Sequence, residues 1–137
     1  MKLVEGEAPM FEKLEITAMA QALATHAGAS LGAISQNMAN ADTPGYKARG
    51  VADFATVWAA GQDGSQMRAS RQGHLGSFSD AMTPETFASK GASSPNGNSV
   101  SLEREMVKAV EVRQQHDMAM AIYRNTSDII RASLGRR

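Results

Sequence analysis

Apolar and small side chains recur at alternating intervals of three and four residues over residues 10–41, which is the spacing of one narrow face of an α-helix. The stripe consists of Ile16, Ala20, Leu23, Ala27, Ser30, Ile34 and Met38. At about 1.5 Å per residue, a helix of this length reaches about 50 Å. Gly28 and Gly32 each cost about 1 kcal/mol in an isolated helix, so we expect them to let another backbone approach closely.

A second helical pattern covers residues 101–134. Ser101 is a suitable N-cap, and Glu103 and Glu105 fall in the first turn, where the helix dipole favours acidic side chains. The stripe on this helix consists of Met106, Ala109, Arg113, His116, Met120, Tyr123, Ser127, Ile130 and Leu134. Four further apolar residues, Val112, Ala119, Ile122 and Ile129, widen it, so we expect this helix to meet more than one neighbour.

Two long helices at the two ends of the chain predict a mainly α fold, in which they pair as an antiparallel, coiled-coil-like hairpin. Residues 1–137 then form one domain, with the turn and an irregular segment over residues 42–100 between the helices. A single seam hardly offsets an ordering cost of about 1–2 kcal/mol per residue. We therefore expect the isolated subunit to be partly disordered and its helices to become ordered in an assembly.

The middle segment, residues 48–98, is rich in Gly and Ser, and neither a helical nor an alternating period persists across it. It predicts loops with room for one short β-hairpin. Asn96 and Gly97 are typical of a type I′ turn, although their polar flanks favour a hairpin only weakly. Phe54, Val57 and Trp58 form the one dense apolar cluster, which we interpret as a local packing anchor, with a subunit contact as the alternative.

Residues 37–47, at the end of the first helical pattern, form an unusually specific sequence for terminating a helix. Two Asn, an Asp and a Thr offer side-chain oxygens that can replace hydrogen bonds lost at the helix terminus. Pro44 ends the helix, and Gly45 after it predicts a type II turn. The string reads Asn37, Met38, Ala39, Asn40, Ala41, Asp42, Thr43, Pro44, Gly45, Tyr46 and Lys47.

This string resembles the N-terminal signature of the axial proteins of the bacterial flagellum, the family of rod and hook subunits. Three further segments, residues 51–54, 71–75 and 98–106, resemble those of a short proximal-rod member of the family. Ser101 stands where Asp is commoner in the third segment, and both are good N-caps. The resemblance covers most of residues 10–137, and the short length fits the proximal rod better than the hook.

Composition agrees with a non-enzymatic role. Only 5% of the 137 residues are aromatic, and the formal net charge is +0, which gives no bulk attraction to nucleic acid or anionic lipid. The absence of Cys excludes disulfides and thiolate metal sites. Residues 1–9 lack the apolar core of a Sec signal peptide, and no apolar run approaches the roughly 20 residues of a membrane span.

Catalytic chemistry is not indicated. His26, His74 and His116 are the only histidines, and their spacing is not that of metal ligands. Glu103 and Glu105 lie on different faces of a helix, so they do not form a paired-carboxylate site. Phosphate-binding, dinucleotide-binding and nucleophile-elbow motifs are absent. We expect no enzyme activity and no cofactor.

The resemblance implies a self-assembling subunit of the proximal rod, the drive shaft that transmits torque across the periplasm, exported without a Sec signal. It implies contacts with the rod proteins FlgC, FlgF and FlgG, the adapter FliE, the MS-ring protein FliF and the flagellar type III export apparatus. Helix packing would fall to Ile16, Leu23, Ile34, Met38, Met106, Met120, Tyr123 and Ile130. The helix exit and lateral contact would fall to Asn37, Asn40, Asp42, Thr43, Pro44, Gly45, Tyr46 and Lys47, with Phe54, Trp58 and His74 as contacts of the middle segment.

Two alternatives stay open. Within the family, an axial rod protein of the FlgC type differs mainly in the mid-chain and C-terminal segments, which are less specific than the turn. Outside it, a two-helix adaptor or regulator would use the same amphipathic helices to bind a groove on a partner. The turn signature is the main argument against the adaptor.

Overall fold

The computed structural model describes residues 8–62, 84–88 and 92–135. Helix α1 (Ala8–Ala39) leads into strand β1 (Arg49–Val51) and helix α2 (Phe54–Gln62), which are followed by strand β2 (Thr86–Ala88) and helix α3 (Leu102–Ser133). The predicted fold class is confirmed, since two long terminal helices dominate and a small two-stranded sheet lies between them in sequence. None of the described helices is long and apolar enough to cross a membrane.

Helices α1 and α3 pack against each other in opposite directions. Asn37, near the end of α1, donates a hydrogen bond of 2.9 Å to Glu105, near the start of α3. The buried apolar residues are mostly alanines, namely Ala20, Ala27, Ala33, Ile34, Ala48 and Ala119. Because an alanine side chain buries little apolar area, this seam is modest in energy and depends on close approach of the two helices.

The residues predicted to pack between the helices divide into two groups. Ile34 is buried, and Leu23, Met38, Met120 and Ile130 are half-buried. Ile16, Met106 and Tyr123 are 42%, 52% and 39% exposed in the single subunit. The buried positions on α3 are Glu105, Ala119 and Thr126. Ala119 belongs to the predicted stripe, and Glu105 and Thr126 each precede a stripe position by one residue. Apart from Glu105 these residues are small, while larger apolar side chains such as Met106 are exposed.

The middle segment holds more regular structure than the sequence pattern predicted. Helix α2 was not expected, although Phe54, Val57 and Trp58 have helical spacing. Strands β1 and β2 pair antiparallel, with Gly50 opposite Phe87, and α2 lies in the connection between them. A nine-residue helix shows too few turns for its period to stand out from the loops around it.

The type I′ interpretation of Asn96 and Gly97 is wrong. Gly97 has φ +81°, but Asn96 does not have the positive φ that this turn also requires. The turn runs one residue earlier, from Ser94 to Gly97, closed by a hydrogen bond of 2.8 Å from the Gly97 N–H to the Ser94 carbonyl. Pro95 at the second position suits such a turn because its φ is preset.

Ser101 occupies the N-cap position of α3, but its hydroxyl makes no capping hydrogen bond. It donates instead to the Glu103 carboxylate at 3.1 Å. The capping role expected of this side chain is therefore not observed. The predicted segment at residues 71–75, including His74, lies outside the described residues.

We predict that Gly45→Ala costs about 1–2 kcal/mol of folding free energy, because φ at Gly45 is +72° and L-residues are strained there. Among the residues that the structure describes, no atom lies within 4 Å of an added Cβ, so the cost comes from backbone strain. Gly97→Ala should cost a similar amount, because φ at Gly97 is +81° and its Cβ would lie at an ordinary contact distance, 3.4 Å, from the Gly45 Cα. Denaturant unfolding followed by circular dichroism, with an osmolyte to populate the folded state, measures both. A much larger cost for Gly97→Ala than for Gly45→Ala would contradict this and show that the two glycines must approach closely.

Candidate functional site

The C-terminus of α1 is completed by a side chain from the far end of the middle segment. The Asn98 Nδ2 lies 3.0 Å from the Asn40 carbonyl, 2.8 Å from that of Ala41 and 2.8 Å from that of Thr43. These carbonyls lie in the turn directly after α1, which ends at Ala39, and the two N–H groups of this amide are shared among them. Asn98 is itself buried, and its Oδ1 accepts the Val100 N–H at 2.7 Å.

The turn after α1 is hydrogen-bonded to the loop that carries Asn98. Tyr46 N–H donates to the Thr43 carbonyl at 3.3 Å, which closes the turn around Pro44 and Gly45. With φ +72° at Gly45, this geometry agrees with the predicted type II turn. Residues 43–48 then lie along residues 94–99, and we call this arrangement the loop–turn contact.

Four hydrogen bonds hold the loop–turn contact together besides those of Asn98. The Gly45 N–H donates to the Asn96 carbonyl, and the Ser99 N–H donates to the Tyr46 carbonyl, both at 3.0 Å. The Lys47 ammonium donates to the Gly97 carbonyl at 3.0 Å, and the Ala48 N–H donates to the Ser99 hydroxyl at 2.9 Å. The chain leaving α1 is thus fixed in direction along its whole turn.

Asn37 connects the end of α1 to strand β1. Its Nδ2 donates to the Arg49 carbonyl at 2.7 Å, and its Oδ1 accepts the Arg49 N–H at 2.8 Å. This two-way pairing is the one that a neighbouring strand would make, so a side-chain amide covers the edge of β1. The Tyr46 hydroxyl also approaches the Asn37 Oδ1, at 3.4 Å. Asn37 is only 1% exposed, and all of its polar groups are partnered.

The second proton of the Asn37 amide reaches α3. It donates to Glu105 Oε2 at 2.9 Å, while the Lys108 ammonium lies 3.0 Å from Glu105 Oε1. Glu105 is 3% exposed, so its charge requires such partners. Arg49, Asn37, Glu105 and Lys108 therefore form one polar chain from the strand to the surface of α3.

The sequence pattern predicted where the chain turns after α1, but the atoms predicted to form the hydrogen bonds there differ from the observed ones. Side-chain oxygens were expected to complete the end of the helix, yet a helix C-terminus exposes carbonyl oxygens, which need donors. The donors are amide groups, Asn98 Nδ2 and also Asn40 Nδ2, which donates to the Gln36 carbonyl at 2.8 Å. The Thr43 hydroxyl donates to the Asn40 side chain at 3.3 Å, and Asp42 and Pro44 are exposed.

Helix α2 is held against α1 by an aromatic cluster. The Phe54 ring lies edge-on to His26 with centroids 5.6 Å apart, and Trp58 stacks on Phe54 at 5.9 Å. His26 Nε2 lies 2.6 Å from the Ala52 carbonyl, and its buried Nδ1 has no hydrogen-bond partner within the described part of the chain. Phe54 and Trp58 thus make the local contact favoured from the sequence, while a role between subunits stays a prediction.

The sequence pattern placed Glu105 in the first turn of the second helix and Asn98 in the segment 98–106. It gave neither residue these contacts, and it indicated for His26 only that a metal-binding role is not expected. Among these, Asn98 was visible as the first residue of the segment 98–106. Nothing in the sequence connects it to the carbonyls of residues 40–43, which precede it by more than fifty positions.

Electrostatics at the start of α3 agree with its position in the helix. The pKa of Glu103 is lowered because its carboxylate accepts hydrogen bonds from its own backbone N–H and from the Ser101 hydroxyl. Across the described residues, no three His, Asp or Glu side chains come together as a metal site.

A long helix that ends in this signature and is bonded back to the base of a second long helix agrees with the class to which the string pointed, the axial proteins of the flagellum. No protein-family profile matches the chain. A curated relative does match: the flagellar basal body rod protein FlgB of Agrobacterium fabrum (strain C58 / ATCC 33970) is 29% identical over 96 residues. The alignment covers 67% of this chain and 72% of the relative. The resemblance to a FlgB-like flagellar rod protein is thus confirmed at the level of a distant relative.

We predict that Asn37→Asp destabilises the fold by about 3 kcal/mol or more at neutral pH, because the new carboxylate would face buried Glu105. Two facing carboxylates share a proton, which raises a pKa in the folded state. The penalty should therefore be small at low pH and grow as the pH rises through that raised pKa. Denaturant unfolding at several pH values measures it.

The matched control exchanges the two groups. Combining Asn37→Asp with Glu105→Gln restores an amide–carboxylate pair and should recover part of the lost stability, while the bond to the Arg49 carbonyl stays lost. If the double variant is as unstable as the single one, or if the loss does not depend on pH, repulsion from Glu105 is not its cause.

Proposed function

We propose that this chain is a structural subunit of the flagellar basal body that assembles into the proximal rod and transmits torque across the periplasm. The observation that carries the proposal is that the loop–turn contact is formed by the residues of the signature. Residues 37–47, which resemble the axial signature, are the ones whose backbone and side chains fix the exit from α1. The similarity to a rod protein supports the same function independently of that geometry.

The surfaces of the two long helices support a role in assembly. From Ile16 to Ala41, α1 and its end carry no Asp, Glu, Lys or Arg, although much of this helix is open to solvent in the single subunit. A soluble helix that stands alone normally carries charges on its outer side. The large apolar residues exposed on α3 are Leu102, Met106, Val107, Val110, Met118, Ile122, Tyr123 and Ile129.

Assembly would cover these surfaces and stabilise the subunit. The alanine-rich seam buries little area, whereas contacts with neighbouring copies would bury the outward Met, Val and Ile side chains at about 25 cal/mol per Å². Contacts between unlike faces of successive copies do not close on themselves, so they generate a helical filament. In such a rod, torque passes through packed helices with no reaction cycle.

The proposed partners follow from the proposed location. They are the rod proteins FlgC, FlgF and FlgG, the adapter FliE, the MS-ring protein FliF and the type III export apparatus, which would carry the chain out of the cell. Partial disorder of the free subunit would suit passage through a narrow channel. Cofactors and catalysis have no part in this function.

Electron microscopy of basal bodies from cells that lack the gene tests the proposal directly. We expect inner-membrane rings with no rod above them, and recovery of the rod when the intact gene is returned. Complete rods and hooks in the deletion strain would overturn the proposal and favour the two-helix adaptor.

The glycines of α1 give a prediction that separates assembly from folding. No atom of the described residues lies within 4 Å of a Cβ added at Gly28 or Gly32, so Gly28→Ala with Gly32→Ala should stabilise the isolated helix by about 1 kcal/mol per site. If neighbouring copies approach closely here, the same variant should assemble poorly. Circular dichroism of the free subunit and motility of the complemented strain measure the two effects.

Ser35→Ala is the matched control, because Ser35 is exposed on α1 and alanine adds no volume there. It should raise helix propensity and leave motility intact. A glycine double variant with normal motility would show that no backbone packs against this face.

The turn distinguishes the rod from the adaptor. Pro44→Ala with Gly45→Ala relaxes the exit from α1, so it should block motility without lowering the level of the protein before export. For an adaptor that engages only the helix seams, the same change should be nearly silent. Motility assays and immunoblots of whole cells measure both outcomes.

A further inference from the structure

We propose that the Asn96-Gly97 bond is a site of spontaneous deamidation, and that its isoaspartate product breaks the loop–turn contact. Asn96 is exposed, and Gly97 has no side chain to hinder attack by its backbone nitrogen. This chemistry needs only water, and it does not depend on the proposed function.

The reaction is an intramolecular substitution without redox change. The Gly97 nitrogen loses its proton and attacks Cγ of Asn96, the Cγ–Nδ2 bond breaks, and the amide leaves as ammonia. The resulting succinimide ring is then opened by water at one of its two carbonyls. One opening gives aspartate, and the other gives isoaspartate, in which the main chain runs through Cβ and Cγ.

The structure places a hydrogen-bond donor on the side-chain carbonyl that is attacked. Asn96 Oδ1 accepts the Asn98 N–H at 3.0 Å, and the ring closed by this hydrogen bond contains both Cγ of Asn96 and the nitrogen of Gly97. The same bond polarises the side-chain carbonyl, which is the group under attack. An N–H aimed at an oxygen where negative charge develops lowers the barrier to such additions.

The loop–turn contact also restrains the reaction. The Gly97 N–H donates to the Ser94 carbonyl at 2.8 Å, so the nucleophile is occupied while the turn is closed. The Asn96 carbonyl meanwhile accepts the Gly45 N–H, which holds the residue in place. Deamidation therefore proceeds when the loop opens, and its rate follows the population of the open form.

The isoaspartate product cannot restore the contact. A succinimide has no N–H at position 97, so the bond to Ser94 is lost at once. Isoaspartate then adds a methylene to the main chain between positions 96 and 97. The carbonyl that accepts the Gly45 N–H is displaced, and Gly97 no longer sits against the Gly45 Cα, to which an added Cβ would come within 3.4 Å. One chemical event thus separates the loop from the turn irreversibly.

The first test follows the full chain during incubation at mildly alkaline pH. Peptide mass spectrometry, together with labelling by an isoaspartyl methyltransferase, locates and counts the products. We expect conversion first and mainly at Asn96, ahead of Asn37, Asn40, Asn98 and Asn125, and none at that position in Asn96→Gln. Conversion at Asn96 no faster than at the other asparagines would overturn the proposal.

A second variant tests control by the loop–turn contact. Asn98→Ala removes the three side-chain bonds to the end of α1 but keeps the backbone N–H that polarises Asn96. We expect faster conversion at Asn96 in this variant. An unchanged rate would show that the contact does not restrain the reaction.

The structural consequence is read from hydrogen exchange of the Gly45 amide in the purified isoaspartate form. We expect a loss of protection of about tenfold or more, the factor that corresponds to about 1.4 kcal/mol and to one lost hydrogen bond. Unchanged protection at Gly45 would overturn the claim that the product breaks the loop–turn contact.

Discussion

The end of α1 depends on a donor that the helix cannot supply. The chain turns away just after α1, and the two N–H groups of the Asn98 amide lie within hydrogen-bonding distance of three carbonyls of that turn, from as far as 58 residues away in sequence. This one amide brings the loop before α3 onto the turn after α1. The direction of the chain after the helix, the position of β1 and the start of α3 all follow from that contact.

A chain with such a thin apolar seam uses polar bonds to make its structure unique. Alanines can slide past one another with little loss, because their contacts are small and alike. Asn37 prevents this by pairing with both backbone groups of Arg49 and with Glu105 on α3. Buried polar groups are tolerated only when fully partnered, so the two helices have one register in which Asn37 and Glu105 are both satisfied.

The distribution of side chains between the seam and the outer surface has consequences for function. Large apolar residues such as Val110 and Met118 lie outside, while the seam between α1 and α3 is lined by small ones. A monomer would gain by the reverse arrangement, since burial of large side chains stabilises a fold most. The arrangement is understandable if neighbouring subunits complete the core, which connects the thin seam to the proposed rod.

The sequence by itself determined the two long helices, their break at residues 40–45 and the positive φ of Gly45, because periodicity, proline and glycine act locally. It also pointed to the flagellar axial proteins through the string at residues 37–47. Helix α2 was not predicted because nine residues are too few to show a helical period. Only the tertiary structure decided that Asn98 completes α1, that β1 pairs with β2, and that Glu105 and not Met106 faces the seam. These depend on which distant groups come within hydrogen-bonding or packing distance, and spacing along the chain does not encode that.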